Sequence, residues 1–593
     1  MFVYIYSFIF MFIAYLIFGK AKINKTHQYL EKNKKELIQE EDKMIRRRYK
    51  YDKISGVHWD AIIIGSGPSA MACASSLSQK GKKCLILEQN EQLGGGAHTW
   101  SKNGYEFETG IHYLGNDPDM FKIIKFLSYD NIKFSNIGTR QKDKVLYDDI
   151  IIGGKHYPFY SGKENLINML KMEFNDNHNE IDKYFQLFDK FTSQKVKNQS
   201  RIFYILKSFY YINDSIKQLL IRLLCWDYYY FISNTIEKVL LDCNINMSSK
   251  LGSVLLGQYG DYGLTPDKVT AMIHFGVMAH YIDGSVYPNG GSGSLVKKLN
   301  NVVIAGGGMS FVNAKVSSFI IYSNRCYGVI INGDRIYGDN IISSMGVYKS
   351  YDLMAKSSIN YDVELICNNL RDNLVLSTSF NFMFISLELP EGVSDISSHN
   401  SWIYPQSDFI DMENKINNNE PWSQPMPMFV ASGSEKDKTW KYSNRKTVVV
   451  LSNTPFSWVE KWAHLNKKER KINIEYQEYK RLCQKKMMEQ GFMKIYPHLK
   501  DYIKNIEVGT PLSTNEYLST INGECYGEGM TPKKMLNSNY NSVTPLNNLY
   551  VTGQDIVTLG YVGSIYAGYL TANIICGYTY LHKLLMGKEI MYD

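Results

Sequence analysis

From Asp60 to Glu88 the chain reads as an apolar strand, Asp60-Ala-Ile-Ile-Ile64, followed by a glycine-rich turn, Gly65-Ser66-Gly67-Pro68-Ser69-Ala70. A small-residue stretch then predicts a helix from about Pro68 to Lys80, and Cys84-Leu-Ile-Leu87 predicts a second strand. This is the opening of a βαβ unit, and its turn matches G-x-G-x-x-G/A. Gly65 permits the tight turn, Gly67 lets the backbone approach a pyrophosphate at the helix N-terminus, and Ala70 allows the helix to pack closely. A glycine-rich turn alone is a weak signal. Here it is answered by Glu88, 23 positions after Gly65, where a carboxylate meets ribose hydroxyls. The expectation is an α/β fold of Rossmann-like type that binds a dinucleotide.

The segment after Glu88 distinguishes a flavin dinucleotide from a nicotinamide one. Gly94-Gly-Gly96-Ala-His98 places a glycine pair, Gly94 and Gly95, six residues beyond the acid. That spacing is similar to the second FAD-binding signature of two-dinucleotide-binding-domain flavoproteins. Near the other end, Asn548-Leu-Tyr-Val-Thr-Gly553-Gln-Asp555 predicts a strand ending in Gly-x-Asp, and Gly560-Tyr-Val-Gly563 opens another small-residue helix. In such flavoproteins an acid like Asp555 approaches the ribityl and pyrophosphate region, and the helix N-terminus supports negative charge on the reduced flavin. The run Val302-Val-Ile-Ala-Gly306-Gly-Gly308 imitates a second fingerprint but lacks an answering acid, and reads as a helix with a glycine cap before the strand Ser310–Val316. With no fixed nicotinamide domain, NADH or NADPH would reach the flavin transiently, or another donor supplies the electrons.

The 593 residues carry a net charge of +8, and its location excludes one class of partner. Residues 20–50 hold 11 Lys/Arg against 5 Asp/Glu, so the remaining body is nearly neutral and offers no basic stripe for nucleic acid. Nine scattered cysteines without C-x-x-C read as reduced core residues, and twelve histidines without H-E-x-x-H give no sign of a catalytic metal. Met1–Phe18 is uncharged and apolar but for Ser7, and at 1.5 Å per residue it spans roughly 27 Å. It lacks the basic n-region and A-x-A of a cleaved signal, so a retained transmembrane anchor is expected. The basic collar after it favours a cytosolic body.

Several separated segments together resemble the all-trans-retinol 13,14-reductase (retinol saturase) family, within the wider phytoene desaturase and carotenoid isomerase group. They are Leu93-Gly-Gly-Gly-Ala-His-Thr99 with Glu108-Thr-Gly-Ile-His-Tyr113, and Gly260-Asp-Tyr-Gly-Leu264 through His280-Tyr281 to Tyr287-Pro-Asn-Gly-Gly-Ser292. Thr510-Pro-Leu-Ser-Thr-Asn515, Cys525-Tyr-Gly527 and Tyr550–Asp555 complete the set, about half the chain. Asn289 and Ser344-Met345-Gly346 depart from the family pattern. The resemblance implies a GR2-type FAD fold in which a discontinuous FAD domain (57–160, 251–350 and 506–580) encloses a helical insertion (161–250) and a substrate domain (351–505). An anchor (1–19) and a basic linker (20–56) precede it. Residues 390–440, rich in Ser, Asn, Asp and Pro, read as loops.

The resemblance further implies that FAD is held by Gly65, Gly67, Ala70, Glu88, Gly94, Gly95, His98, Gly553, Asp555 and Gly563, with Val316 meeting adenine through its backbone. Reduced FAD would saturate one C=C bond of a retinoid or other polyene lipid, at a membrane, in the endoplasmic reticulum. Glu108, His112 and Tyr526 are the candidate proton-handling residues. The same fold also accommodates a carotenoid isomerase or polyene desaturase, and a prenyl-lipid carrier of the GDP-dissociation-inhibitor kind that uses no FAD.

Overall fold

The computed structural model describes residues 25–577 apart from Asp130, Tyr211, Gly392, Ser394 and Asp395. The expected anchor lies outside the described residues, and no helix among those described is long and apolar enough to cross a membrane.

The nucleotide unit is a five-stranded sheet of β1 (Ala61–Ile64), β2 (Cys84–Leu87), β3 (Met309–Phe311), β4 (Asn340–Ser343) and β5 (Leu549–Val551). Their spatial order is β3-β2-β1-β4-β5, with every pairing parallel. β1 and β2 are buried at every residue, which is why they read as unbroken apolar runs instead of alternating ones. Three helices flank the sheet: α1 (Pro68–Gln79), α2 (Ser292–Ala305) and α3 (Gly560–Ile575). Pro68 sits at the first position of α1, where its missing N–H costs nothing. α3 crosses α1 at backbone contact: a Cβ on Gly568 would lie 2.2 Å from the Ser69 carbonyl oxygen.

The expected strand Ser310–Val316 is two strands. Asn313 takes a left-handed conformation (φ +54°), which ends β3. Val316–Tyr322 then enters a separate three-stranded antiparallel sheet with Arg325–Ile331 and Asp334–Tyr337.

The second unit is an eight-stranded sheet. Its order is Ile503–Gly509, Phe380–Glu388, Arg445–Asn453, Met428–Ala431, Asn400–Tyr404, Lys144–Ile152 and Thr139–Gln141, with Lys155–Tyr160 also paired to Lys144–Ile152. Two expectations are corrected here. Residues 139–160, placed by sequence in the first FAD segment, belong to this sheet because Asp148–Ile152 pairs in parallel with Asn400–Tyr404. Residues 390–440 are not merely loops: they hold two of its strands and the helix Phe409–Asn418. Tertiary burial overrides their polar composition, since Asn400 and Ser401 lie inside the sheet.

Residues 163–242 contain six α-helices among the described residues. Tyr184, Phe185, Phe203, Tyr228 and Phe231 turn inward and join the helix Ala271–Tyr281 in one aromatic core. Most of the aromatic wealth of this stretch is therefore packing. The helix Asp214–Leu224 instead presents aliphatic residues to solvent, with Ile216, Leu219, Leu223 and Leu224 exposed and Trp226 just beyond it.

Candidate active site

A cavity of about 1500 Å³ begins at the carboxyl ends of β1, β2, β4 and β5 and continues to the inner face of the eight-stranded sheet. Ligands of open α/β sheets bind at such strand ends. The volume exceeds the roughly 300–1,000 Å³ of an ordinary small-molecule pocket, so the cavity has room for two occupants.

Its first part is a phosphate cradle. Gly65 adopts φ +91°, in the left-handed region that glycine tolerates. A Cβ built on Gly67 would meet no protein atom within 4 Å, so this face of the turn opens onto the cavity at the N-terminus of α1. Ser66, the unassigned residue of the motif, ties the cradle together. Its Oγ donates to Glu88 Oε2 at 2.5 Å and accepts from the Gly94 N–H at 2.9 Å. Glu88 Oε1 accepts from the Asn90 N–H, and a carboxylate with two such partners retains lone pairs for ribose hydroxyls. Gly95, His98 and Val316 also line the cavity, whereas Gly94 packs against Val296. His98 is held by the Gly95 carbonyl oxygen at 2.6 Å, and burial lowers its pKa. On the far wall Gly553 faces open space and Asp555 is buried, its Oδ1 accepting from Lys534 Nζ (3.0 Å) and the Glu528 N–H (2.9 Å).

Three expected cofactor contacts do not reach the cavity wall: Gly94, above, and Ala70 and Gly563. Ala70 is wholly buried within α1, away from the cavity wall. Gly563 serves the turn that leads into α3, where a Cβ would lie 1.7 Å from the Thr558 carbonyl oxygen. Both are packing positions; the neighbours Ser69 and Val562 face the cavity instead.

The second part is aromatic and aliphatic, lined by Tyr113, Met272, Ile273, Val277, Tyr281, Phe382, Trp402 and Phe429. Tyr113 stacks on Tyr281 with ring centroids 4.4 Å apart. Into this wall projects Asp261, from the short helical turn Tyr259–Tyr262. Tyr113 Oη donates to its Oδ2 at 2.9 Å, and Tyr526 Oη donates to its Oδ1 at 3.3 Å. Tyr526 stands at the junction of the two parts: a Cβ on Gly560 would be 4.0 Å from its ring, and one on Gly527 would be 2.8 Å from Asp555 Oδ1.

Behind these groups runs a buried polar network. Asp148 accepts from Gln258 (2.7 Å), Asn400 (2.8 Å) and, more distantly, Tyr113 (3.3 Å). Lys436, only 1% exposed, donates to the His112 carbonyl oxygen at 2.9 Å and to Asn400 Oδ1. Burial, reinforced by the Asp148 charge, raises the Asp261 carboxyl to about 7 against the pull of the two phenols. Burial likewise raises Asp148 to about 6 despite its amide donors, and lowers Lys436 to about 8 against the attraction of Glu108 and Asp148.

Of the three proton-handling candidates, Glu108 and His112 pair with each other (Oε1 to Nδ1, 3.3 Å) and Tyr526 joins Asp261. Burial raises the Glu108 pKa, but His112 and Lys436 more than offset it and hold the carboxyl below its usual range. His112 and Tyr526 line the cavity; Glu108 stands behind it, against Gly433. Asp261, Asp148 and Lys436 went unassigned in sequence, and only the motif Gly260–Leu264 pointed toward the first of them. Among the described residues the one three-membered cluster with metal-ligand spacing is His58, Asp60 and Asp339, on the surface, where Asp60 already accepts from Lys82 and the Lys83 N–H.

Comparison with known proteins agrees with this geometry. Residues 63–127 match the family model of an NAD(P)-binding Rossmann-like domain. Over 548 residues the chain is 27% identical to an all-trans-retinol 13,14-reductase of Danio rerio, covering 89% of this chain and 86% of the relative. The Homo sapiens protein of the same name is 29% identical, covering 87% of this chain and 85% of its own. Over most of its length the chain is similar to the all-trans-retinol 13,14-reductases. A prolycopene isomerase of Daucus carota is more distant, at 21% identity over 87% of this chain and 80% of its own. Among solved structures, a putrescine oxidase shares the fold with a TM-score of 0.55 at 15% identity, over 88% of this chain and 99% of that one. The reductase relatives, the phosphate cradle and this fold together identify a flavin-dependent oxidoreductase.

Proposed function

We propose that the protein uses FAD to saturate one C=C bond of a conjugated polyene lipid, with all-trans-retinol converted to 13,14-dihydroretinol as the leading case. The observation that carries this reading is the continuity of one cavity from the glycine cradle at Gly67 to the aromatic wall at Tyr113, Tyr281, Trp402 and Phe429. A retinoid offers an apolar polyene and few polar handles, which suits such a lining. Gly65, Gly67, Ser66 and Glu88 would hold the adenosine and pyrophosphate end of FAD, and Gly553, Asp555 and the N-terminus of α3 its flavin end. FAD, when bound and reduced, supplies the hydride that a C=C reduction requires. The chain orients the polyene between aromatic faces, excludes water from it, and must place a proton donor at the second carbon. The electron donor is proposed to be NADH, NADPH or another reductant that reaches the flavin transiently.

The prolycopene isomerase relative supports a second reading, redox-neutral isomerisation of a polyene in the same cavity. Product analysis of flavin-loaded protein with a polyene, with and without a chemical reductant, separates the two. Reductant-dependent appearance of a product two mass units heavier supports saturation; a product of unchanged mass supports isomerisation. A purified protein that takes up no flavin would instead favour a lipid carrier.

We also propose that the protein sits at a membrane, in the endoplasmic reticulum, with the apolar segment 1–19 as its anchor and the body on the cytosolic side. The exposed apolar face of Asp214–Leu224 with Trp226 supports a bilayer contact by the body itself.

A further inference from the structure

We propose that Asp261 is the proton reservoir of the reduction, and that Tyr526 passes its proton to the substrate carbon while Tyr113 fixes the carboxyl from the other side. This rests on the saturation reading above.

Position singles out these residues. Asp261 and Tyr526 both line the cavity, at the point where the dinucleotide part meets the aromatic part. Most other acids on the wall are already committed, and Glu528, which burial also raises to about 7, accepts from the Tyr540 hydroxyl next to Asp555 and Lys534. Asp117 caps the helix Pro118–Ser128, Glu507 and Glu516 pair with Lys102 and Arg470, and Glu524 accepts the N–H groups of Ile521 and Asn522. Asp261 has two phenol donors and, among the described residues, no cation in salt-bridge contact. The two phenols favour the carboxylate, but burial and the like charge of Asp148 outweigh them and keep the acid form within reach. The groups that face it are Tyr113, Tyr526, Tyr281, Tyr404, its neighbour Tyr262 and the carboxylate of Asp148, with Lys436 beyond Asp148. Nearly all are neutral phenols, and the one nearby charge that bears on Asp261 is of like sign.

In the reduction, FAD, once bound and reduced, would supply hydride with its electron pair to one alkene carbon as the π bond breaks. With Asp261 in its acid form the contact reverses, the carboxyl donating to the Tyr526 oxygen; the other carbon then takes the Tyr526 hydroxyl proton and the Asp261 proton moves onto the phenol oxygen, leaving a carboxylate. Solvent reprotonates Asp261 before the next turnover.

The test uses the full-length flavin-loaded protein, its Asp261→Asn and Tyr526→Phe variants, and two readouts. The first is the carbonyl stretch of a protonated carboxyl in infrared difference spectra between pH 5 and 9. One component should titrate near pH 7 in the wild type and somewhat higher in Tyr526→Phe, which loses a donor to the carboxylate, and be absent from Asp261→Asn, while the components of Asp148, near 6, and Glu528, near 7, remain. The second is the anaerobic rate at which chemically reduced protein consumes all-trans-retinol. In the wild type it should fall as pH rises through about 7, because the acid form is the donor. In Asp261→Asn, with retinol still bound, it should be about 10²- to 10⁴-fold slower and lose that pH dependence. An unchanged rate or pH profile in Asp261→Asn overturns the proposal, as does an infrared difference spectrum that the substitution leaves unchanged. A wild type that consumes no retinol defeats the saturation reading itself, and the two failures are thereby distinguished.

Discussion

Replacing Gly67 by valine should abolish cofactor loading while leaving the apoprotein folded. Gly67 has φ −63° and ψ 173°, extended backbone open to any residue, and a Cβ there meets no protein atom within 4 Å. The entropy lost by the unfolded chain stabilises by about 0.4–1 kcal/mol, while valine is a poorer helix N-cap than glycine by a comparable amount, so the net change is near zero. The cofactor meets a different surface. The added carbon projects about 1.5 Å from the turn, enough to carry phosphate oxygens out of hydrogen-bond range of the N-terminus of α1. Losing about two charge-assisted hydrogen bonds at about 1.5–3 kcal/mol each amounts to about 3–6 kcal/mol, or roughly 10²- to 10⁴-fold in affinity. Flavin fluorescence during titration of apoprotein with FAD measures the affinity, and thermal unfolding of the apoprotein measures the fold. A variant that binds FAD as tightly as the wild type would refute the placement of the phosphates at this turn. Gly568→Val should do the opposite and disrupt the fold itself, since its Cβ would meet the backbone of α1.

The same geometry sets three other outcomes. Lys436→Met should lower stability by about 2–5 kcal/mol in urea unfolding, because it strips two buried acceptors of their donor and removes the positive charge near Glu108 and Asp148. Phe382→Ala, on the cavity wall beside Phe384, should raise KM for the polyene by about 10-fold or more while leaving FAD affinity unchanged. Leu219→Asn with Leu223→Asn should cut sedimentation with neutral vesicles by about 10-fold or more without shifting the melting temperature, since both side chains already stand in solvent.

The parts of the site legible in sequence were those written over short spans. Gly65, Gly67 and Glu88 are joined by one βαβ unit, and Gly553 and Asp555 by one strand end, so spacing alone places them on the wall of a dinucleotide cavity. Of the proton-handling centre proposed above, only Tyr526 was legible in this way. Asp148, Asp261 and Lys436 come from three distant segments, and each is an ordinary polar residue until the fold brings it beside the others. Glu108 was selected for its motif, yet its oxygens point to His112 and Gly433. Residues 390–440 misled for a related reason: Asn400 and Ser401 look like loop residues, but Asn400 is needed inside the sheet, where it links Asp148 to Lys436. Local spacing also could not show that Asn313 breaks the Ser310–Val316 run, since that turn is held by the N–H of Asn313 donating to the carbonyl oxygen of Asn90.

The most direct test of the central claim is a single anaerobic mixing of reduced, flavin-loaded protein with one equivalent of all-trans-retinol, followed by absorbance. The oxidised flavin spectrum should return as the polyene band is lost, one for one. A flavin that stays reduced beside an unchanged polyene would contradict that claim.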